Sequence, residues 1–397
     1  MLRPDVTHPG PRARIAMPTA MPTAMPIAVS DLLAHQIAAR HCPGALVHVE
    51  QAGTVLARHA AGHVQPDGAV AMHFGLRFRI ASLTKPVVTL AALMLVDEGR
   101  LDLDAPVGEL LPVLADQRLA SGARPARPPS VRDLMRHTSG LAYPFEIADA
   151  ALRAPWLAAG IGAALGGLDT ASFLATLARL PLVAEPGTAF RYGYSTDVLG
   201  CIIEQLDGTP LSAALQRRVF DPLDMQHTSF ALAPGEAGTL ATAFTDDAGW
   251  HASIPAIGQR QPGRPQMDSG GGGLLSTIDD YAAFARLLAS GGQRPDGQRL
   301  LSARLFAELA RNQLPPGVDG PAGYTGPGFG FGLGLAVRHD WGPGAMPCAA
   351  GELAWSGISG TALFVHPGSQ WFALLFSANM ASRMVARMMF RRAVASR

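Results

Sequence analysis

The chain has 397 residues, 48% of them hydrophobic and 16% charged, with a formal net charge of +1. This composition fits a globular protein with a large core and excludes a disordered one, and the near-neutral balance exerts no general pull on nucleic acid or an anionic membrane. Cys42, Cys201 and Cys348 are too scattered for a disulfide framework or zinc site, the 12 histidines contain no HExxH, and no 18-residue apolar run free of charge and proline marks a membrane span.

The N-terminus repeats MPTA-MPTA-MPIA from Met17 to Ala28. Proline at every fourth position breaks the helical stretch that a signal peptide needs, so residues 1–28 read as a disordered leader and the location as cytoplasmic. Ser30-Asp31 then caps a helix through LLAHQIAARH. GALVHVEQAG and TVLARHAAG read as two strands joined at a glycine turn, and Leu76–Ile80 as a third short strand. From Lys85 to Glu98 the chain is apolar and helix-favouring; Pro86 is tolerated because it falls in the first turn.

Between Pro106 and about Gly326, helical segments alternate with Gly/Pro loops such as GARPARPPS and QLPPGVDGPAG. Strand patterns return in GFGFGLGLAV, GTALFVHP and WFALLFSANM, followed by a helix whose Arg383, Arg387, Arg391 and Arg392 suggest a solvated basic face. Strand material at both ends with helical material between predicts one sheet built from the two termini. The expected division is 29–81 with 328–397 as an α/β sheet domain and 82–327 as a mostly helical domain, with a site at the junction. Ser82 falls there.

Of the 32 lysines and arginines, a single one is lysine, Lys85, three residues after Ser82. Arginine cannot surrender its proton in a protein, whereas lysine can serve as a base when its surroundings favour the neutral amine. At the start of a helix, residues i and i+3 share a face, and the helix N-terminus adds a positive potential. Ser82 and Lys85 therefore form a candidate activated nucleophile. An SxxK spacing alone arises easily by chance.

Further segments accompany it in order. FRIASLTK around Ser82, Asp133–Leu141 (DLMRHTSGL), Pro186–Gly200 (PGTAFRYGYSTDVLG), Asp221–Phe230 (DPLDMQHTSF), Ser269–Thr277 (SGGGGLLST) and Trp355–Thr361 (WSGISGT) together resemble the serine β-lactamase and penicillin-binding superfamily. The similarity runs from about residue 30 to 380 and is nearest to family VIII carboxylesterases, the class C β-lactamase-like esterases. It implies a two-domain α/β fold, an antiparallel sheet built from both chain ends and flanked by helices, with a large helical insertion.

By the same resemblance, the catalytic tyrosine stands eight residues before the glycine of DVLG. Counting back from Gly200 gives Tyr192, leaving Tyr194 as a packing or substrate-contact residue. Where β-lactamases carry Lys-Thr-Gly, whose lysine helps hold a carboxylate, this chain has Trp355-Ser356-Gly357. The anion anchor is lost, which points to a neutral ester as substrate. The backbone N–H groups of Ser82 and Ile358 would form the oxyanion hole.

Two tempting motifs carry other meanings. Gly270–Gly273 lacks both the GxGxxG context and the P-loop Gly-Lys, so it reads as a tight turn before a helix near Thr277 rather than a phosphate cradle. His137 has no GxSxG serine to serve and reads as structural. The resulting expectation is a serine hydrolase of short to medium acyl esters without metal or cofactor, acting on a small-molecule ester and not on nucleic acid or membrane. The alternatives are a β-lactamase, a D-amino-acid peptidase or an acyltransferase with the same Ser-Lys-Tyr site; a non-catalytic binding protein is the reading from a different class. The segment from Phe145 to Thr170, rich in Ala, Gly and Leu, is positioned to shape the pocket mouth.

Overall fold

Strand segments from the two ends of the chain meet in one antiparallel sheet. The computed structural model describes residues 26–39, 42–64, 68–161, 167–241, 266–339, 348–380 and 382–395. Near the N-terminus, β1 (Gly44–Gln51) and β2 (Thr54–Gly62) form a hairpin, turning at Ala52 and Gly53, both with positive φ. A two-residue turn of this kind matches the twist of the flanking strands. The C-terminal part supplies β5 (Phe329–Phe331), β6 (Ala336–Arg338), β7 (Leu353–Ser356), β8 (Thr361–His366) and β9 (Trp371–Ser377). The sheet order is β2-β1-β9-β8-β7-β6-β5, so β1 pairs with β9 and joins the two ends.

The strands read as unbroken apolar runs because both sheet faces are covered. Alternate residues of β9 show this. Phe376 meets Tyr281 of helix α5 (Ile278–Ala289), and Phe372 lies beneath Arg286 of the same helix. Trp371 points the other way, under Arg391 of helix α6 (Arg383–Ala395). Each helix is also held by a buried acid. Arg286 pairs with Glu50 on β1, whose carboxyl burial would push up but Arg286 and His48 bring down to about 2. Arg391 pairs with Glu352 beside β7.

A second, two-stranded ribbon pairs β3 (Phe78–Arg79) with β4 (Leu275–Ser276). Ile80 N–H continues this pairing by donating to Leu274 O at 3.0 Å. The ribbon fastens the approach to Ser82 onto the end of the SGGGGLLST segment. Immediately beyond it runs helix α2 (Thr84–Asp97), apolar on nearly every side and buried along most of its length, as such a helix must be.

Two expectations change, and one is sharpened. Helix α1 (Pro26–Ala38) starts ahead of the expected Ser30 cap, since proline is accommodated at a first helical position; residues 1–25 of the leader lie outside the described residues. The strand pattern of GFGFGLGLAV resolves into the hairpin β5–β6, turned through Gly334 at φ +78°. The arginines of α6 do not form a solvated face: Arg391 is buried, Arg383 and Arg387 are partly covered, and only Arg392 is exposed. Residues four apart on a helix share the side that packs, and here that side carries Arg383, Arg387 and Arg391 onto the protein. No described helix is long and apolar enough to cross a membrane, and the described residues contain no cluster suited to a metal ion.

Candidate active site

Ser82 sits in a single 3-10 turn, Ala81–Leu83, between β3 and α2. Ala81 holds φ +46°, a left-handed conformation costing about 1–3 kcal/mol for a residue with a Cβ. The surroundings over-determine this turn. Ser359 Oγ–H donates to Arg79 O, and Thr361 Oγ1–H donates to Ile80 O at 3.1 Å. A Cβ on Gly357 would lie 2.4 Å from Ile80 O, so only glycine lets β7 come this close. Ile358 packs on Ala81 and Leu275. These contacts bring Trp355-Ser356-Gly357-Ile358 alongside Ser82, as the sequence comparison of motifs led us to expect.

Lys85, on the first turn of α2, is fully buried. Its Nζ lies 3.4 Å from Ser82 Oγ, 3.3 Å from Tyr143 OH and 2.6 Å from the Gly271 carbonyl oxygen. It also stands 4.5 Å from the centre of the Tyr192 ring. The expected trio is thus assembled, but Lys85 meets Tyr192 over the ring face. The phenol hydroxyl in hydrogen-bonding reach is that of Tyr143, and Tyr192 OH is buried without a hydrogen-bond partner among the described residues.

Sequence reasoning overlooked Tyr143. It follows Leu141 of the DLMRHTSGL segment by two residues, and its N–H donates to Tyr192 O at 3.0 Å, which sets the two tyrosines side by side. Burial, reinforced by Asp197, pushes the Tyr143 phenol well above the ordinary range, so it meets Lys85 as a neutral hydroxyl. His137 is buried against Tyr192, Phe190 and Phe331, and burial followed by the charge of Lys85 keeps its imidazole neutral. That agrees with a structural role.

Tyr194 takes the packing role, not the substrate contact. It is buried between Trp156 and Tyr143, and its OH donates to Ile161 O. Trp156 and Ile161 belong to the Phe145–Thr170 segment, which therefore backs the site; Phe145, 62% exposed, stacks on Tyr143 and leads outward from it. Residues 162–166 of that segment lie outside the described residues.

Trp355 packs 5.3 Å from Tyr192 and 5.9 Å from Tyr324 between ring centres. The expected loss of positive charge at this strand does not hold. Arg387 of α6 donates to Ser356 Oγ and, at 2.7 Å, to Tyr324 O, so a guanidinium reaches the same strand from another element. Only packing could reveal that.

The glycine run closes the far side. Gly272 and Gly273 N–H both fold back onto Ser269 O, and the loop rests on the first turn of helix α4 (Ser195–Asp207), whose Asp197 accepts from Ser269 Oγ at 2.7 Å and Gly271 N–H at 2.8 Å. A Cβ on Gly270 would lie 2.5 Å from Thr196 O, and one on Gly271 would lie 2.3 Å from Asp197 Oδ2. The run is a tight turn pressed against a helix start, which agrees with the reading from sequence.

Comparison with known proteins accords with this arrangement. A family model described as Beta-lactamase matches residues 29–395. Esterase EstB of Burkholderia gladioli is 33% identical over 356 residues, covering 82% of this chain and 83% of its own. Among solved structures, EstCE1, described as a hydrolase with promiscuous acyltransferase activity, superposes with a TM-score of 0.80 at 28% identity over 93% of this chain and 97% of its own. Simvastatin synthase LovD from Aspergillus terreus shares the fold, with a TM-score of 0.75 at 21% identity over 93% of this chain and 98% of its own.

Proposed function

The chain belongs to the beta-lactamase family, with its mixed α/β fold of an antiparallel sheet and several helices, and we propose that it is a carboxylesterase working through an acyl-enzyme on Ser82. The observation that carries this reading is the sole lysine, buried, with Nζ 3.4 Å from Ser82 Oγ. Ser82 Oγ attacks the ester carbonyl while its proton passes to Lys85. The tetrahedral oxyanion is held by the N–H groups of Ser82 and Ile358. Tyr192, with Tyr143 beside Lys85, relays the proton to the leaving alcohol; water then enters and the reverse transfers release the acid.

Support for an ester over a β-lactam comes from the likeness to Esterase EstB, 33% identical over more than four-fifths of both chains. A short to medium acyl group suits the aromatic lining of Tyr143, Tyr192, Tyr324 and Trp355. Acyl transfer to an alcohol uses the same intermediate, and that lining favours it by limiting water. Transfer activity is named for EstCE1.

The test is turnover of p-nitrophenyl butyrate, with nitrocefin compared on kcat/KM, and a mass spectrum after treatment with a fluorophosphonate. We expect a much higher kcat/KM for the ester and a single adduct on Ser82. Unchanged turnover in Ser82→Ala would overturn the proposal.

A further inference from the structure

Lys85 must keep one geometry while its charge changes, and the group that fixes it lies outside the Ser-Lys-Tyr trio. Its shortest hydrogen bond runs not to a side chain but to the Gly271 carbonyl, at 2.6 Å. On the other side of the same Cα, Gly271 N–H donates to Asp197 Oδ1 at 2.8 Å, and Ser269 Oγ–H reaches that oxygen at 2.7 Å. One carboxylate oxygen therefore pins the loop at two points, and the pinned loop presents its carbonyl to the ammonium. A Cβ on Gly271 would lie 2.3 Å from Asp197 Oδ2, so the contact admits glycine alone.

We propose that Asp197 is a positioning residue for Lys85, acting through the Gly271 backbone to hold Nζ between Ser82 and Tyr143. This rests on the reading of Lys85 as the proton acceptor for Ser82. A primary amine on four rotatable bonds occupies many rotamers, and a misplacement of about 1 Å at a reacting group costs about 10²-fold in rate. The Gly271 carbonyl takes one N–H and leaves the rest of Nζ directed at the two hydroxyls. Asp197 also stands in the first turn of α4, where the helix potential stabilises an acid.

Titratable groups meet at both ends of the relay. Tyr143, Tyr192 and His137 surround Lys85; Tyr143, Tyr194 and Cys201 feel the charge of Asp197. Burial pushes the Asp197 carboxyl up, and Lys85, Ser269 and Gly271 only partly offset this. The charge is not what holds the loop: an amide oxygen in its place would hold it without one.

The experiment compares Asp197→Ala, Asp197→Asn and Gly271→Ala by two readouts, the pH profile of p-nitrophenyl butyrate turnover and the rate of fluorophosphonate labelling at Ser82. The clamp predicts that Asp197→Ala loses about 10²-fold in kcat and in labelling rate with KM little changed. Asn keeps an oxygen for Gly271 N–H and Ser269 and should recover to within about fivefold, with the acidic limb of kcat/KM displaced to lower pH because a nearby negative charge is gone. Gly271→Ala should resemble Asp197→Ala, and the double variant should add nothing.

Labelling and kcat within twofold of the parent in Asp197→Ala would overturn the proposal. So would an equal loss in Asp197→Asn with the pH profile unmoved. If the ester reading itself fails, the parent shows no butyrate turnover, yet the labelling comparison still decides the role of Asp197. Should Asp197→Ala not fold, Asp197→Asn and Gly271→Ala decide it.

Discussion

Two buried aspartates, Asp133 and Asp197, show how the protein treats a carboxylate that holds structure and one that serves chemistry. Asp133 accepts from Arg127, Arg136, Thr138 Oγ1 and both the N–H and Oγ–H of Ser130. Burial would raise its pKa, but these donors outweigh that and bring it down to about 2. Asp197 is as deeply buried, with Ser269 and Gly271 as its donors and a single ammonium in reach, and its pKa is raised. The first group is saturated so that the DLMRHTSGL loop cannot shift. The second has fewer donors, and both of them belong to the glycine loop that meets Lys85.

If this contrast is right, losses of activity and losses of stability segregate between the two regions. The largest effect is expected from Ser82→Ala, a fall of at least about 10⁴-fold in kcat/KM with the urea midpoint unchanged. Lys85→Arg keeps the positive charge but cannot release a proton, and should lose about 10³-fold. Recovery of most activity in Lys85→Arg would break the contrast, because a fixed cation would then suffice. Tyr192→Phe should cost about 10²-fold or more in kcat and Tyr143→Phe about tenfold; the reverse order would transfer the proton relay to Tyr143.

Stability sharpens the same division. Asp133→Asn should lose about 2–3 kcal/mol at neutral pH in urea unfolding, since it strands two guanidinium partners. The folded pKa of Asp133 is depressed, so its contribution is present above the ordinary value of 3.8 and disappears as pH falls toward about 2. Asp197 has the opposite sign. Its raised pKa means that the ionised form weighs against folding at neutral pH, so Asp197→Asn should unfold at the same or a higher urea concentration than the parent at pH 7.5.

The smallest effect concerns Arg387, whose guanidinium touches Ser356 on the pocket-wall strand. Arg387→Ala should lower the preference for mono-4-nitrophenyl glutarate over p-nitrophenyl butyrate by about fivefold, as expected for one partly covered ionic contact. An unchanged ratio would mean that the guanidinium does not reach the ligand.

Much of the site was legible in the sequence because its chemistry depends on residue types that stand out locally. A lone lysine three residues from a serine, before an apolar helix, needs no tertiary information to attract attention. The pairing of Tyr192 with that site, and of Trp355 with β7, followed from motif order. Tyr143 and Asp197 were written in quoted or adjoining segments, DLMRHTSGL and DVLG, yet nothing in their spacing tells that one reaches Lys85 and the other reaches it through Gly271. The arginines of α6 misled for the same reason: a charge every fourth residue looks solvated until the partner surface is known.

The amino-acid order alone determined most of the helix and strand runs and the Ser82–Lys85 adjacency, since each depends on periodicity or on contacts three to four residues apart; the order of strand and helix material also pointed to one sheet built from both chain ends. Tertiary structure decided which hydroxyl meets the amine, which acid stays under-donated and which cation stands at β7. Those outcomes depend on distances between segments far apart in the chain, and such distances are settled only when the layers pack.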